Sequence, residues 1–245
     1  MLGLGIDSTM MYGFSGMDLK QATSSVAPQR LALWLKNDTG VTAGKWTDSS
    51  GYNNHVSQST EGNQAAVSGG GLDFERNESD HYDLTSTITV GNEAGFCIAA
   101  VITLETASNG TLLSKDAFDQ FQVKSTDEFR FRSDTSNVTT DFVFSDDGSS
   151  FPVSTKMLIL LNRSADGERF TFFKNGTQLT PDSDTSTNEA EGENPGGLDI
   201  NVLGAKEGSS QFFDGIIHEL AFWNGALTTQ EIVDVNYYLK SVHGL

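Results

Sequence analysis

The sequence predicts an all-β fold, an antiparallel β-sandwich closed by one C-terminal helix. Three observations carry this expectation. Many short apolar runs are separated by Gly, Asn, Asp and Ser clusters, as in strands joined by turns. Three of these runs alternate apolar and polar residues: Phe121 with Val123, Phe129 with Phe131, and Phe142 with Phe144. Period-two alternation means one buried and one wet face. Finally, "FKNGTQL" places Asn175-Gly176 between two such runs, the residues that a two-residue type I′ hairpin turn requires.

Residues 1–28 stand apart. Gly and Met alternate there with isolated apolar residues, without helical or strand period, and we read them as an extended N-terminal arm. Met10, Met11, Tyr12 and Phe14 would be poorly solvated alone, so they are candidate assembly contacts. The main domain is assigned to residues 29–245. Its strands begin with "RLALWLK", followed by the polar loop "WTDSSGYNNHV" and by "GGGLDF" and "DHYDL" around an acidic turn. "GFCIAAVITLE" and "KMLILLN" are apolar on both faces, as strands in the middle of a packed sheet are. Between the hairpin and "LDINVLG" lies "PDSDTSTNEAEGENPGG", acidic and nearly free of apolar residues, which reads as a surface loop.

"LTTQEIVDVNYYLKSVHG" reads as the helix. Thr228 with Glu231 three positions on makes a capping box. Ile232, Val235, Leu239 and Val242 recur on one face. Lys240 and His243 suit the negative end of the dipole, and Gly244 suits the position after the last turn.

The chain has 245 residues, 37% of them hydrophobic, including 16 Phe, which is enough to fill one large core. A net charge of −18 and the absence of a basic stripe argue against nucleic acid or an anionic membrane as partner. One cysteine, Cys97, permits no internal disulfide and reads as a small core residue. No run reaches the ~20 apolar residues of a membrane span. The N-terminus lacks a basic region ahead of its apolar start, which makes a poor signal peptide.

The order of motifs resembles the concanavalin A-like lectin/glucanase superfamily in its laminin G-like and pentraxin-like branch. The resemblance rests on "LALWLKND", "WTDSSGYNNHV", "GGGLDFERNESDHYDL", "FTFFKNGTQL" and "LGAKEGSSQFFDGIIHELAFWNGALTTQEI", and covers roughly residues 30–240. It implies a two-sheet antiparallel jelly roll, and no single function. The ends "MLGLGIDSTMM" and "YLKSVHGL" are also similar to virion structural proteins of marine tailed cyanobacterial phages. That similarity implies a virion protein on the outer particle surface, made in the host cytoplasm and anchored through its arm to capsid, neck, tail or fibre proteins. It would form a homo-oligomer and display a sandwich that binds host glycans. A free lectin and a degenerate glycoside hydrolase are the alternatives.

No enzyme chemistry is legible. Glycoside hydrolysis needs two carboxylates flanking the scissile bond. Glu78 and Asp80 lie in a turn, and Glu219 is the one acid of "GIIHELAFW". Strict alternation sends His218 and Glu219 to opposite faces. The histidines show no zinc spacing. No cofactor is required. Calcium is the candidate ion, with Asp48, Asn53 and Asn54 as hard-oxygen ligands and Glu219 as their long-range partner. Alternatively, Asp48 closes an Asx-turn onto Ser50. For a glycan, Trp46 and Tyr52 flank the Asp48 loop, with Tyr82 and then Phe118 as further candidate rings.

Overall fold

The computed structural model describes residues 19–22, 30–92, 94–126, 128–135, 138–145, 151–165, 170–179, 181–184 and 196–245. Met10, Met11, Tyr12 and Phe14 lie outside the described residues. The described residues open with a four-residue helix, α1 (Leu19–Ala22), whose Leu19 is fully buried.

The first strands are β1 (Leu31–Leu35), β2 (Val41–Thr42), β3 (Lys45–Trp46), β4 (Val56–Ser57), β5 (Ala66–Ser68) and β6 (Gly71–Phe74). The long central ones are β7 (Tyr82–Val90), β8 (Phe96–Leu104), β9 (Gly110–Ser114), β10 (Gln120–Val123), β11 (Glu128–Thr135) and β12 (Val138–Ser145). The last are β13 (Lys156–Arg163), β14 (Phe170–Lys174), β15 (Thr177–Leu179), β16 (Pro181–Asp184), β17 (Leu198–Leu203) and β18 (Gly215–Trp223). Helix α2 (Thr229–His243) follows.

These strands make two antiparallel sheets among the described residues. The eight-stranded sheet runs β15-β14-β13-β8-β18-β6-β5, with β1 also on β18, and the ten-stranded sheet runs β16-β12-β11-β10-β9-β17-β7-β4-β3-β2. The predicted two-sheet sandwich is therefore present. Its interior is phenylalanine-rich. Phe96 stacks on Phe222 at 5.9 Å, and Phe129 meets Phe151 edge-on at 4.6 Å. Such pairs add about 0.5–1.5 kcal/mol each beyond their burial.

The fully apolar strands β8 and β13 are explained by a second cluster on their other face. Cys97, Ala99, Val101, Leu158 and Leu160 pack there under Trp34, Trp223 and the α2 residues Ile232, Val235 and Leu239. Both halves of the capping box are formed, and Gly244 caps the helix at φ 69°. Val242 departs from its expected place, being 50% exposed. The buried positions of α2 instead include Glu231, held by Arg30 at 3.1 Å, and Asn236.

At the hairpin, Asn175 and Gly176 have φ of 51° and 84°, the left-handed pair a type I′ turn demands. Asn175 also accepts from Leu158 N at 2.9 Å, pinning the turn to β13. One expectation fails here: the acidic loop after the hairpin begins as a strand, β16, paired with β12. Pro181 lacks an N–H and is tolerated because β16 is the sheet's edge.

Candidate functional site

The Asp48 loop is closed by its own donors. Oδ1 accepts from Trp34 N and Ser50 N, both at 2.8 Å. Oδ2 accepts from Ser50 Oγ at 2.7 Å and Asn54 N at 3.0 Å. Four donors occupy the lone pairs of this carboxylate, so it does not fit a calcium ligand and acts as an Asx-turn staple. Asn54 spends its amide on Ala32 O at 2.8 Å. Asn53 takes a left-handed φ of 61° at an exposed turn position.

Glu219 is 1% exposed and engaged on both oxygens. Oε1 accepts from Trp34 Nε1 at 2.7 Å, and Oε2 lies 2.8 Å from His243 Nε2. The link between Glu219 and the Asp48 loop therefore runs through Trp34, whose backbone and indole N–H serve one carboxylate each. Alternation misplaces its neighbour. The register slips between Ile217 and Glu219, a bulge that pairs Glu219 with Val101 and Ala221 with Ala99 on the α2 side. His218 lies on that side too, 6.3 Å ring to ring from His243, with Nε2 2.9 Å from Thr103 Oγ1. Burial first, then the charges of Lys156 and His243, lower its pKa to about 4. His218 and Glu219 thus share a face without bonding each other.

Two of the candidate rings are core residues. Trp46 and Tyr82 are 0% exposed, Trp46 donating to Lys36 O and Tyr82 to Ala43 O. Both sit on core positions of the ten-stranded sheet, so neither offers a face to a sugar. Tyr52 is 49% exposed and Phe118 42%.

A different surface gathers polar groups. In β10, Phe121 and Val123 enter the core, so Gln120 and Gln122 face outward. The register places Gln122 between Thr111 and Arg130, and Gln120 between Ser114 and Arg132. Gln120 and Gln122 are only 2% exposed, and Thr111 is fully buried. Gln120 Oε1, Gln122 Oε1 and Thr111 Oγ1 have no hydrogen-bond partner. Three enclosed polar groups in adjacent positions are unusual, because such atoms are nearly always paired. Beside them the Arg132 guanidinium lies 4.9 Å from the half-exposed Phe118 ring.

The β9–β10 turn that carries Phe118 also walls a cavity of about 350 Å³, lined by Thr89, Asn92, Lys115, Asp116, Asp119 and Asp199, among others. Burial alone would raise the Asp199 carboxyl, but hydrogen bonds from Lys115 and Thr89 and the Lys115 charge hold it below its usual range. The same bond raises Lys115. Asp116 Oδ1 accepts from Phe118 N and Asp119 N, and Asp119 Oδ2 from Asp199 N. Each acid here has a structural partner. The signal for this surface was present in the alternation of "FDQFQVK", but alternation alone sends Gln120 and Gln122 into open solvent.

On the outer side of the other sheet, oxygens of Asp73, Glu75 and Glu105 lie within 4.8 Å of one another. Burial, followed by mutual repulsion and that of Asp214, raises all three carboxyls. In the turn after β6, Asp80 is 1% exposed and accepts from Glu75 N at 2.8 Å, while Glu78 is exposed. Asp80 thus staples this turn.

Residues 76–233 match the family described as the concanavalin A-like lectin/glucanases superfamily. No curated protein matches the chain. Among solved structures, the binding domain of Paraclostridial Mosquitocidal Protein 1 is similar at TM-score 0.58 and 16% identity, over 85% of this chain and 52% of that one. Trypanosoma rangeli sialidase in complex with sialic acid is similar at TM-score 0.56 and 14% identity, over 89% and 34%. Domain 4 of AbnA, a GH43 extracellular arabinanase from Geobacillus stearothermophilus, in complex with arabinotriose, is similar at 0.50 and 15%, over 84% and 98%. The chain spans about a third of the length of the sialidases it resembles. At these identities the likeness is one of fold.

Proposed function

Because the chain belongs to the concanavalin A-like lectin/glucanases superfamily, we propose that it is a non-catalytic module that binds a glycan on the outer face of its ten-stranded sheet. One observation carries the reading: Thr111, Gln120 and Gln122 lie in adjacent positions with acceptor oxygens that have no donor within the protein, which a glycan would engage once the glutamine amides turn outward. An enclosed acceptor left unpaired costs about 1–3 kcal/mol, and hydroxyl groups of a bound saccharide would relieve that cost. The Phe118 ring beside them suits the C–H face of a sugar, and the adjoining cavity has room for one further residue of a chain. The arabinotriose complex of a structurally similar domain supports the binding part of the reading, since a domain of similar fold takes a short glycan.

Hydrolysis would need two carboxylates about 5–9 Å apart across the scissile bond. The polar row carries amides and a hydroxyl, and the acids of the cavity are each held by Lys115 or by backbone N–H groups. The module therefore grips without cutting. We further read it as an outer-surface component of a phage virion, anchored through residues 1–28 to other virion proteins and forming a homo-oligomer. The similarity of its ends to such proteins supports this.

Retention of the full chain on immobilised cell-surface polysaccharides tests the binding reading. Phe118→Ala and Gln122→Leu should each reduce retention roughly tenfold while leaving the melting temperature within a few degrees. Equal retention by both variants would sink it. Release of reducing ends from the same glycans would overturn the non-catalytic reading, and particles that assemble without residues 1–28 would overturn the anchoring.

A further inference from the structure

A second opening lies on the other side of the sandwich, between the Asn175-Gly176 turn and α2. It has a volume of about 530 Å³ and is lined by Gly176, Thr177, Asn236, Tyr237, Lys240 and Ser241, among others. Asn236 is 7% exposed. Its Nδ2 donates to Ile232 O at 2.8 Å, inside the helix, and its Oδ1 has no partner. That oxygen faces the turn glycine: a Cβ added at Gly176 would sit 3.7 Å from it. Glycine is needed there for the positive φ of the turn.

The remaining walls limit what fits. Lys240 Nζ donates to Asn175 O at 3.1 Å and retains further donor capacity. Thr177 and Ser241 add hydroxyls, and the Tyr237 ring is 52% exposed. A metal cation would meet the Lys240 ammonium, and an anion would turn its oxygens toward the Asn236 carbonyl. An apolar ligand would leave that carbonyl unpaired. A neutral polyol satisfies all three walls, because each hydroxyl both donates and accepts while the ring carbons cover the tyrosine.

We propose that this cleft is a saccharide subsite separate from the polar row on the ten-stranded sheet. A ligand hydroxyl donates to Asn236 Oδ1 and accepts from Lys240, and the sugar's C–H face lies on Tyr237.

The test is a side-chain and backbone amide NMR titration of the ¹⁵N-labelled full chain. The probes are methyl α-glucopyranoside, methyl β-galactopyranoside, N-acetylglucosamine and fucose. At least one should give saturable shifts at the Asn236 side-chain amide and the Gly176 amide. The Gly176 shift should vanish in Asn236→Ala, and both shifts should weaken roughly tenfold in the half-exposed Tyr237→Ala and persist in Gln122→Leu. No saturable shift at these positions with any probe, or a Gly176 shift unchanged in Asn236→Ala, would overturn the subsite. Shifts confined to Gln120 and Gln122 would also overturn it while leaving the polar row intact.

Discussion

His243, in the last turn of α2, places Nε2 2.8 Å from Oε2 of Glu219 in β18, and both side chains are at most 2% exposed. The pair locks the end of the helix onto the sheet at the bulge. Removing one partner strands the other inside the protein. Glu219→Ala, which also orphans Trp34 Nε1, should cost about 3–5 kcal/mol in urea unfolding. A loss under about 1 kcal/mol would mean the helix end does not dock as described.

Acid should weaken the fold through His218. Its folded pKa of about 4 lies below the unfolded value of 6.5, so the unfolded chain takes up the proton first. Its contribution is complete above pH 6.5 and is lost as pH falls toward 4, by about 3 kcal/mol at most. His218→Gln keeps a partner for Thr103 and removes the titration, so its stability profile should be flatter than wild type across that window. Parallel profiles would contradict the assignment.

The crowded carboxyls Asp73, Glu75 and Glu105 act with opposite sign. Their folded pKa values are raised, so their penalty is present at neutral pH and disappears as pH falls below the unfolded values of 3.8 and 4.5. Asp73→Asn should raise the melting temperature at pH 7 by about 1–3 °C, with the gain fading near pH 4. A lower melting temperature at pH 7 would mean that Asp73 has a favourable partner.

Asn175 serves both its own turn and the neighbouring strand. It holds φ at 51° and accepts from Leu158 N, so Asn175→Ala should destabilise by about 1–2 kcal/mol. Asn175→Asp keeps the acceptor and should recover most of that, as chemical denaturation can show.

Features set by near neighbours were legible in the sequence. The Asn175-Gly176 turn, the Thr228–Glu231 box and the Gly244 cap depend on a few consecutive residues, and all three are as read. Features set across the sheets were not. His218 and Glu219 share a face because one residue is inserted against β8, which no local pattern announces. Trp46 and Tyr82 look like ring platforms until the packing of β3 and β7 hides them. Gln120 and Gln122 read as solvated positions, yet flanked by β9 and β11 in the sheet both are only 2% exposed, which alternation does not announce. The Asp48 loop was half legible. Its Asx-turn follows from spacing, but the tie to Glu219 passes through Trp34.

The outward polar row of β9 and β10 stands or falls by a crystal structure of the full chain soaked with the best-retained oligosaccharide. Sugar hydroxyls should lie about 2.7–3.0 Å from Gln120 Oε1 and Gln122 Oε1, with a pyranose or furanose ring against Phe118. An oligosaccharide bound elsewhere while this row stays bare, or one found cleaved, would contradict it.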